Sequence, residues 1–147
     1  MDKETERLTM ASDTNARYLA GDIEKHQELF GEAFNSGDVD AVNAMYTEDA
    51  VGVWDPGRPL AGQARRDKVK DFMSYGPTVE AEVLQSIVNG DTAMLVVKWS
   101  METTSPEGKP EHLEGTAIDV LHRGEDGNWR YVIDNPYGAS GPYGAEG

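Results

Sequence analysis

The feature that most constrains this chain is a change of hydrophobic period near Thr78. Before it, apolar residues recur every three or four positions, the helical period; after it they alternate, the strand period. In "DIEKHQELFGEAFNSG" the residues Ile23, His26, Phe30, Ala33 and Phe34 form one helical stripe, with Asp22 as N-cap and Gly37 as the stop. Asp38 is placed to cap a second, shorter helix presenting Val39, Val42 and Met45 or Tyr46. "VGVW" reads as a short strand closed by the turn "DPGRP". "QARRDKVKDFMSY" reads as a third helix, with Val69, Phe72 and Met73 apolar and its basic residues in solvent.

From Thr78 the strands "TVEAEVLQSIV", "TAMLVVKWSMETT", "HLEGTAIDVLHR" and "WRYVID" follow one another. Asn89-Gly90, "SPEGKPE" and "GEDGN" supply the turns of an antiparallel meander. Helices first and a meander after them give an α+β fold class, with the helices packed on one face of a curved sheet. Residues 21–138 are expected to form one domain, between a flexible arm over 1–20 and a loose tail over 139–147.

Charge and composition exclude several functions. With 27 acidic residues against 13 basic ones, the formal charge of −14 repels phosphate backbones and anionic lipid, so neither nucleic acid nor a membrane is expected as a partner. Cysteine is absent, which removes thiolate nucleophiles, disulfides and cysteine-type zinc sites. The polar N-terminal stretch and the short run "AMLVV" lead to an expectation of a cytoplasmic protein. No phosphate loop, serine elbow or metal signature is present, and neither cofactor nor metal is expected.

Alternation assigns faces to the strands. Leu95, Val97, Trp99 and Met101 share one face, and Trp129, Tyr131, Ile133 and Asn135 share one face of the last strand. Between them Ile118 and Val120 read as inner residues, carrying Thr116, Glu114 and His112 to the same side. The opposite face would hold Leu84, Val88, Met94, Val96, Leu121 and Val132, with Asp134. An apolar band on that side points to a homodimer formed through the sheet.

The stretch "ELFGEAFNSGDVDAVNAMYTEDAVGVWDPGRPLAGQARRDKVKDF" resembles the opening of the nuclear transport factor 2-like superfamily, with its SnoaL-like and ketosteroid isomerase-like members. The tail "DGNWRYVIDNPYG" is similar to the last strand of its YybH-like or SgcJ/EcaC-like subgroup. The resemblance covers about residues 22–138 and implies a cystatin-like, cone-shaped sheet, strongly curved around N-terminal helices and enclosing an apolar pocket. Members include isomerases, dehydratases and cyclases, so the fold alone does not assign a reaction. Residues matching Ile133 and Asn135 are often histidines in that subgroup; this chain departs there, which weakens histidine-based acid–base chemistry. Within the matched stretch, Asp49 is read as structural, accepting backbone N–H bonds at a helix–strand corner, and Gly62 as starting a helix with an unusual backbone angle.

Applied to this chain, the cone implies a pocket lined by Trp54, Trp99, Met101, Thr116 and Asn135, with His26 from the first helix as a further ligand contact. Glu114 is the expected general base, its carboxyl desolvated beside Trp99 and Met101, and His112 its partner two positions away. His26, His112 and Glu114 match no metal spacing, and His122 is expected in solvent. Two functions follow as expectations: a cofactor-independent isomerase, cyclase or dehydratase acting on a small hydrophobic carbonyl compound, or a non-catalytic ligand-binding or accessory dimerisation protein.

Overall fold

In the computed structural model, which describes residues 17–139, Asp22 accepts the Glu24 N–H at 3.0 Å and caps helix α1 (Ile23–Ser36). Gly37 ends that helix at φ 79°, a left-handed conformation that costs glycine nothing. The expected arm and tail fall almost wholly outside the described residues; of the arm, Ala20 pairs with Trp129, whose N–H donates to the Ala20 carbonyl at 2.8 Å. Asp38 caps α2 (Val39–Asn43) by accepting the Ala41 N–H at 3.0 Å. The chain continues as β1 (Tyr46–Asp55), doubles back as β2 (Arg58–Ala61), and enters α3 (Gly62–Met73) through Gly62 at φ 59°. The first strand is therefore longer than expected, and a hairpin partner stands where a bare turn was read. Asp49 accepts from the Thr47 hydroxyl at 3.1 Å on an exposed stretch of β1, and not from backbone at a corner.

The meander follows as β3 (Thr78–Asn89), β4 (Thr92–Thr104), β5 (Pro110–Arg123) and β6 (Trp129–Asn135). All six strands form one curved, unclosed sheet in the order β2-β1-β6-β5-β4-β3, antiparallel except where β1 runs parallel to β6. The helices cover its inner face. Ala33 and Phe34 of α1, Val42 of α2 and Val69 and Met73 of α3 bury themselves against Leu95, Val97, Ala117, Leu121 and Tyr131 of the sheet. No helix among the described residues is long and apolar enough to cross a membrane.

Two register details correct the face assignment. β4 and β5 pair odd position with odd position, Leu95 with Asp119, Val97 with Ala117 and Trp99 with Gly115. The inner residues of β5 are therefore Leu113, Ala117, Asp119 and Leu121, while His112, Glu114, Thr116, Ile118 and Val120 face outward. On β6 the register shifts beside Val132: Tyr131 pairs with Leu121, yet Ile133 pairs with Val120 and Asp134 with Asp119. This extra residue, a β-bulge, reverses the alternation, so Asp134 turns inward, 8% exposed, and Ile133 turns outward, 38% exposed. Leu121, read as outward, is fully buried.

A third correction concerns α3. Arg65, read as solvated, is 1% exposed, because α3 lies against β1 and the guanidinium sits 4.4 Å above the ring of Tyr46. The outer face keeps its apolar character with partly different members. Ile87, Met94, Val120 and Ile133 are successive cross-strand partners from β3 to β6, and Val96 and Ile118 pair beside them.

Candidate functional site

Between α1, α3 and the inner face of the sheet the side chains leave a cavity of about 350 Å³. Such a volume, with mostly apolar walls and a few converging polar groups, suits a small organic molecule. Trp54, Trp99 and Met101 line it as expected; Phe30, Phe34 and Phe72 reach it from the helices. Trp54 lies back over Gly52, where an added Cβ would stand 2.5 Å from the indole ring, so glycine is what admits that rotamer.

The mouth is built from the end of β6. The Trp99 indole N–H donates to the Pro136 carbonyl at 2.7 Å, and the Tyr137 ring stands edge-on to Trp99 at 5.4 Å. Gly115 makes that seat possible: a Cβ there would approach Trp99 Cζ2 to 3.0 Å and the Pro136 oxygen to 3.1 Å. Lys68 and Asp55, 3.6 Å apart, and Glu111 complete the rim.

The polar end of the cavity is a pair of carboxyls. Asp119 and Asp134 are cross-strand partners on β5 and β6, and both are buried. The Tyr46 hydroxyl donates to Asp134 Oδ2 at 2.6 Å, and the Asn135 N–H donates to Asp119 Oδ1 at 3.0 Å. Two buried carboxyls set side by side favour keeping a proton on the pair. Burial first, and then the neighbouring Asp134 charge, holds Asp119 far above the ordinary carboxylate range. Burial raises Asp134 as well, opposed first by the Tyr46 hydrogen bond, which favours its ionised form. Of the two, Asp134, which accepts the Tyr46 hydroxyl at 2.6 Å, is the better placed to carry a negative charge. Tyr46 and Tyr131, both pushed up chiefly by burial, stay protonated. Such a pair can donate a proton and accept one within an aromatic chamber.

The other expected residues lie elsewhere. Glu114 and His112 are on the outer face, their side chains 75% and 49% exposed. There His112 Nε2 lies 3.1 Å from Glu114 Oε2 and Nδ1 bonds to Glu102; these carboxylates, Glu102 first, raise the imidazole pKa. Glu114 thus lacks the burial that made it a candidate base. Thr116 and Asn135 also sit on the outward parity, Asn135 contributing only its backbone N–H to the site. His26 is fully buried behind the cavity wall, 4.7 Å from the Tyr131 ring and edge-on to it, and burial lowers its pKa to about 4. Neither of its ring nitrogens has a hydrogen-bond partner. Its role is packing, and a neutral imidazole fits it. His122 is exposed, as read. Among the described residues, no group of three His, Asp or Glu side chains is arranged to hold a metal ion.

Comparisons with known proteins agree with this geometry. The sequence model of the SnoaL-like domain matches residues 26–132. No curated protein matches. Among solved structures, the chain is similar to a protein assigned as a scytalone dehydratase from Novosphingobium aromaticivorans, with TM-score 0.67, 13% identity, and 90% of this chain and 85% of that one covered. It is similar to a protein of Streptomyces avermitilis assigned as a dehydratase of the NTF2-like family, with TM-score 0.60, 16% identity and coverages of 72% and 86%. It is also similar to a protein of Xanthomonas campestris assigned as a calcium/calmodulin-dependent protein kinase II association domain, with TM-score 0.64, 16% identity and coverages of 84% and 92%. At these identities the likeness is one of fold.

Proposed function

This chain belongs to the SnoaL-like domain family of the nuclear transport factor 2-like superfamily, and from that premise we propose that it is a cofactor-independent acid–base enzyme, an isomerase, cyclase or dehydratase, acting on a small, uncharged, hydrophobic carbonyl compound. The observation that carries this reading is the Asp119–Asp134 pair at the polar end of an aromatic cavity. Asp134 is the base and Asp119 the acid, in place of Glu114 and His112. An anionic substrate is disfavoured, since the lining offers Asp55, Glu111, Asp119 and Asp134 against one cation, Lys68, already paired with Asp55. The dehydratase assignments among the structural relatives are compatible with this chemistry.

The test is a panel of neutral carbonyl and hydroxyl compounds, with binding followed by quenching of tryptophan fluorescence and the recovered ligand weighed by mass spectrometry. Conversion by the wild type and not by Asp134→Asn supports the reading.

A second reading, non-catalytic binding, is favoured by one observation: Asp134 already accepts an internal hydrogen bond from the Tyr46 hydroxyl at 2.6 Å. A satisfied polar network of this kind also serves structure alone. Under that reading the ligand returns unchanged.

A homodimer through the outer face belongs to either reading. The cross-strand row Ile87–Met94–Val120–Ile133 leaves Ile87 47% and Ile133 38% exposed, apolar area that a second copy would cover.

A further inference from the structure

Among the described residues, Arg65 is a buried cation with no carboxylate in direct contact. The residue is 1% exposed, its Nη1 donates to Asn43 Oδ1 at 3.2 Å, and its Nε has no partner there. A cation so placed is expensive unless a negative charge lies near. The guanidinium carbon stands 4.4 Å over the centre of the Tyr46 ring, and the hydroxyl on that ring donates to Asp134 at 2.6 Å. We infer that Arg65 is a positioning residue: from behind Tyr46 its charge is balanced by a single negative charge on the Asp119–Asp134 pair, and it thereby keeps that pair singly ionised.

The remaining groups around the pair leave that role to Arg65. From β1 come Tyr46, the donor to Asp134, and Trp54, uncharged; from β6 comes Tyr131, protonated. From α1 comes His26, uncharged at neutral pH and separated from the carboxyls by Tyr131. On α3, Arg66 turns to Gln63, and Lys68 is taken by Asp55 at the rim. The nearby acids, Asp55 and Glu111, would oppose ionisation of the pair. Without Arg65 the burial of both carboxyls would favour the doubly protonated, uncharged pair, which lacks a base. The ring of Tyr46 thus has two faces of use: one meets the cation, and the edge carries the donor.

This inference rests on the carboxyl pair being the reactive group, but its test reads the pair without any ligand. In protein labelled with carboxyl-¹³C aspartate, NMR titration follows Asp119 and Asp134 directly. We expect the wild type to carry one negative charge on the pair at neutral pH. Arg65→Met should move that ionisation up by about one pH unit or more, and Arg65→Lys should restore most of it. Identical titration in the wild type and Arg65→Met would overturn the inference while leaving the catalytic reading standing.

Should Arg65→Met be too unstable to titrate, urea denaturation of Arg65→Met, Asp134→Asn and the double variant closes a cycle. The double variant should be more stable than the two losses summed, because each single change strands the other's charge. Strict additivity would also overturn the inference.

Discussion

Asp119 and Asp134 face each other directly across β5 and β6, both turned into the cavity. Regular alternation through Trp129 and Tyr131 would have placed Asp134 outside; the extra residue at Val132 brings it in. Two aspartates that would otherwise be one buried and one solvated stand side by side in the interior, where burial favours keeping a proton on the pair.

That proton makes stability fall as pH rises. The unfolded chain releases it near the ordinary aspartate value of 3.8, whereas the folded pair, raised by burial, retains it to much higher pH. The native state therefore binds more protons, and the stabilisation, complete below 3.8, is lost as pH climbs through the folded value. Urea unfolding at a series of pH values should show lower stability at neutral than at mildly acid pH. Asp119→Asn should flatten that slope; an unchanged slope would remove the shared proton.

His26 works in the opposite sense. Its folded pKa of about 4 lies below the unfolded 6.5, so its contribution is whole above 6.5 and is lost as pH falls toward 4. The full effect is about 3 kcal/mol. His26→Phe keeps the ring packing against Tyr131 and removes two unpartnered nitrogens. It should abolish this acid-side loss and raise neutral-pH stability by about 1 kcal/mol. Equilibrium denaturation at pH values spanning 4 to 6.5 decides it.

Glu114→Gln and His112→Gln should leave ligand binding and any turnover within about twofold of the wild type, as befits side chains on the outer face. Ala117→Leu should reduce binding about tenfold or more by filling the cavity, with little change in far-UV circular dichroism. Fluorescence titration with one pocket ligand compares all three.

The outer row offers a test of assembly. Val120→Lys introduces a charge between Met94 and Ile133, and should convert a dimer to a monomer at micromolar concentration. Sedimentation velocity reads it directly, and a wild type already monomeric would refute the proposed interface.

Much of the fold was legible because local signals agreed. Asp22, Gly37 and Asp38 mark helix boundaries by their capping chemistry, and Gly90 marks a hairpin by its φ of 60°, although the two-residue loop is Gly90-Asp91 and Asn89 still pairs with Thr92 in the strand. The pocket aromatics Trp54 and Trp99 followed from position in the curved sheet. The faces of β5 were not legible from alternation, because both parities are apolar, Ile118 and Val120 on one side and Ala117 and Leu121 on the other. One signal was present. A hairpin loop with an odd number of residues pairs odd positions with odd, so an inward Leu95, Val97 and Trp99 demands an inward Ala117 and Asp119. The bulge at Val132 had no such signal, since Val132 and Ile133 are equally good strand residues. Arg65 was hidden for a related reason: a helix with four basic residues reads as solvated, and only the Tyr46 ring beneath it shows that one of them is not.

The most direct measurement compares wild type and Asp134→Asn on one neutral ligand, with binding from tryptophan fluorescence and conversion from mass spectrometry. The wild type should bind and convert it, and Asp134→Asn should bind it within about threefold yet convert it at least about a hundredfold more slowly. Equal conversion by both proteins, or a ligand held tightly and recovered unchanged from the wild type, would contradict a catalytic role for the Asp119–Asp134 pair.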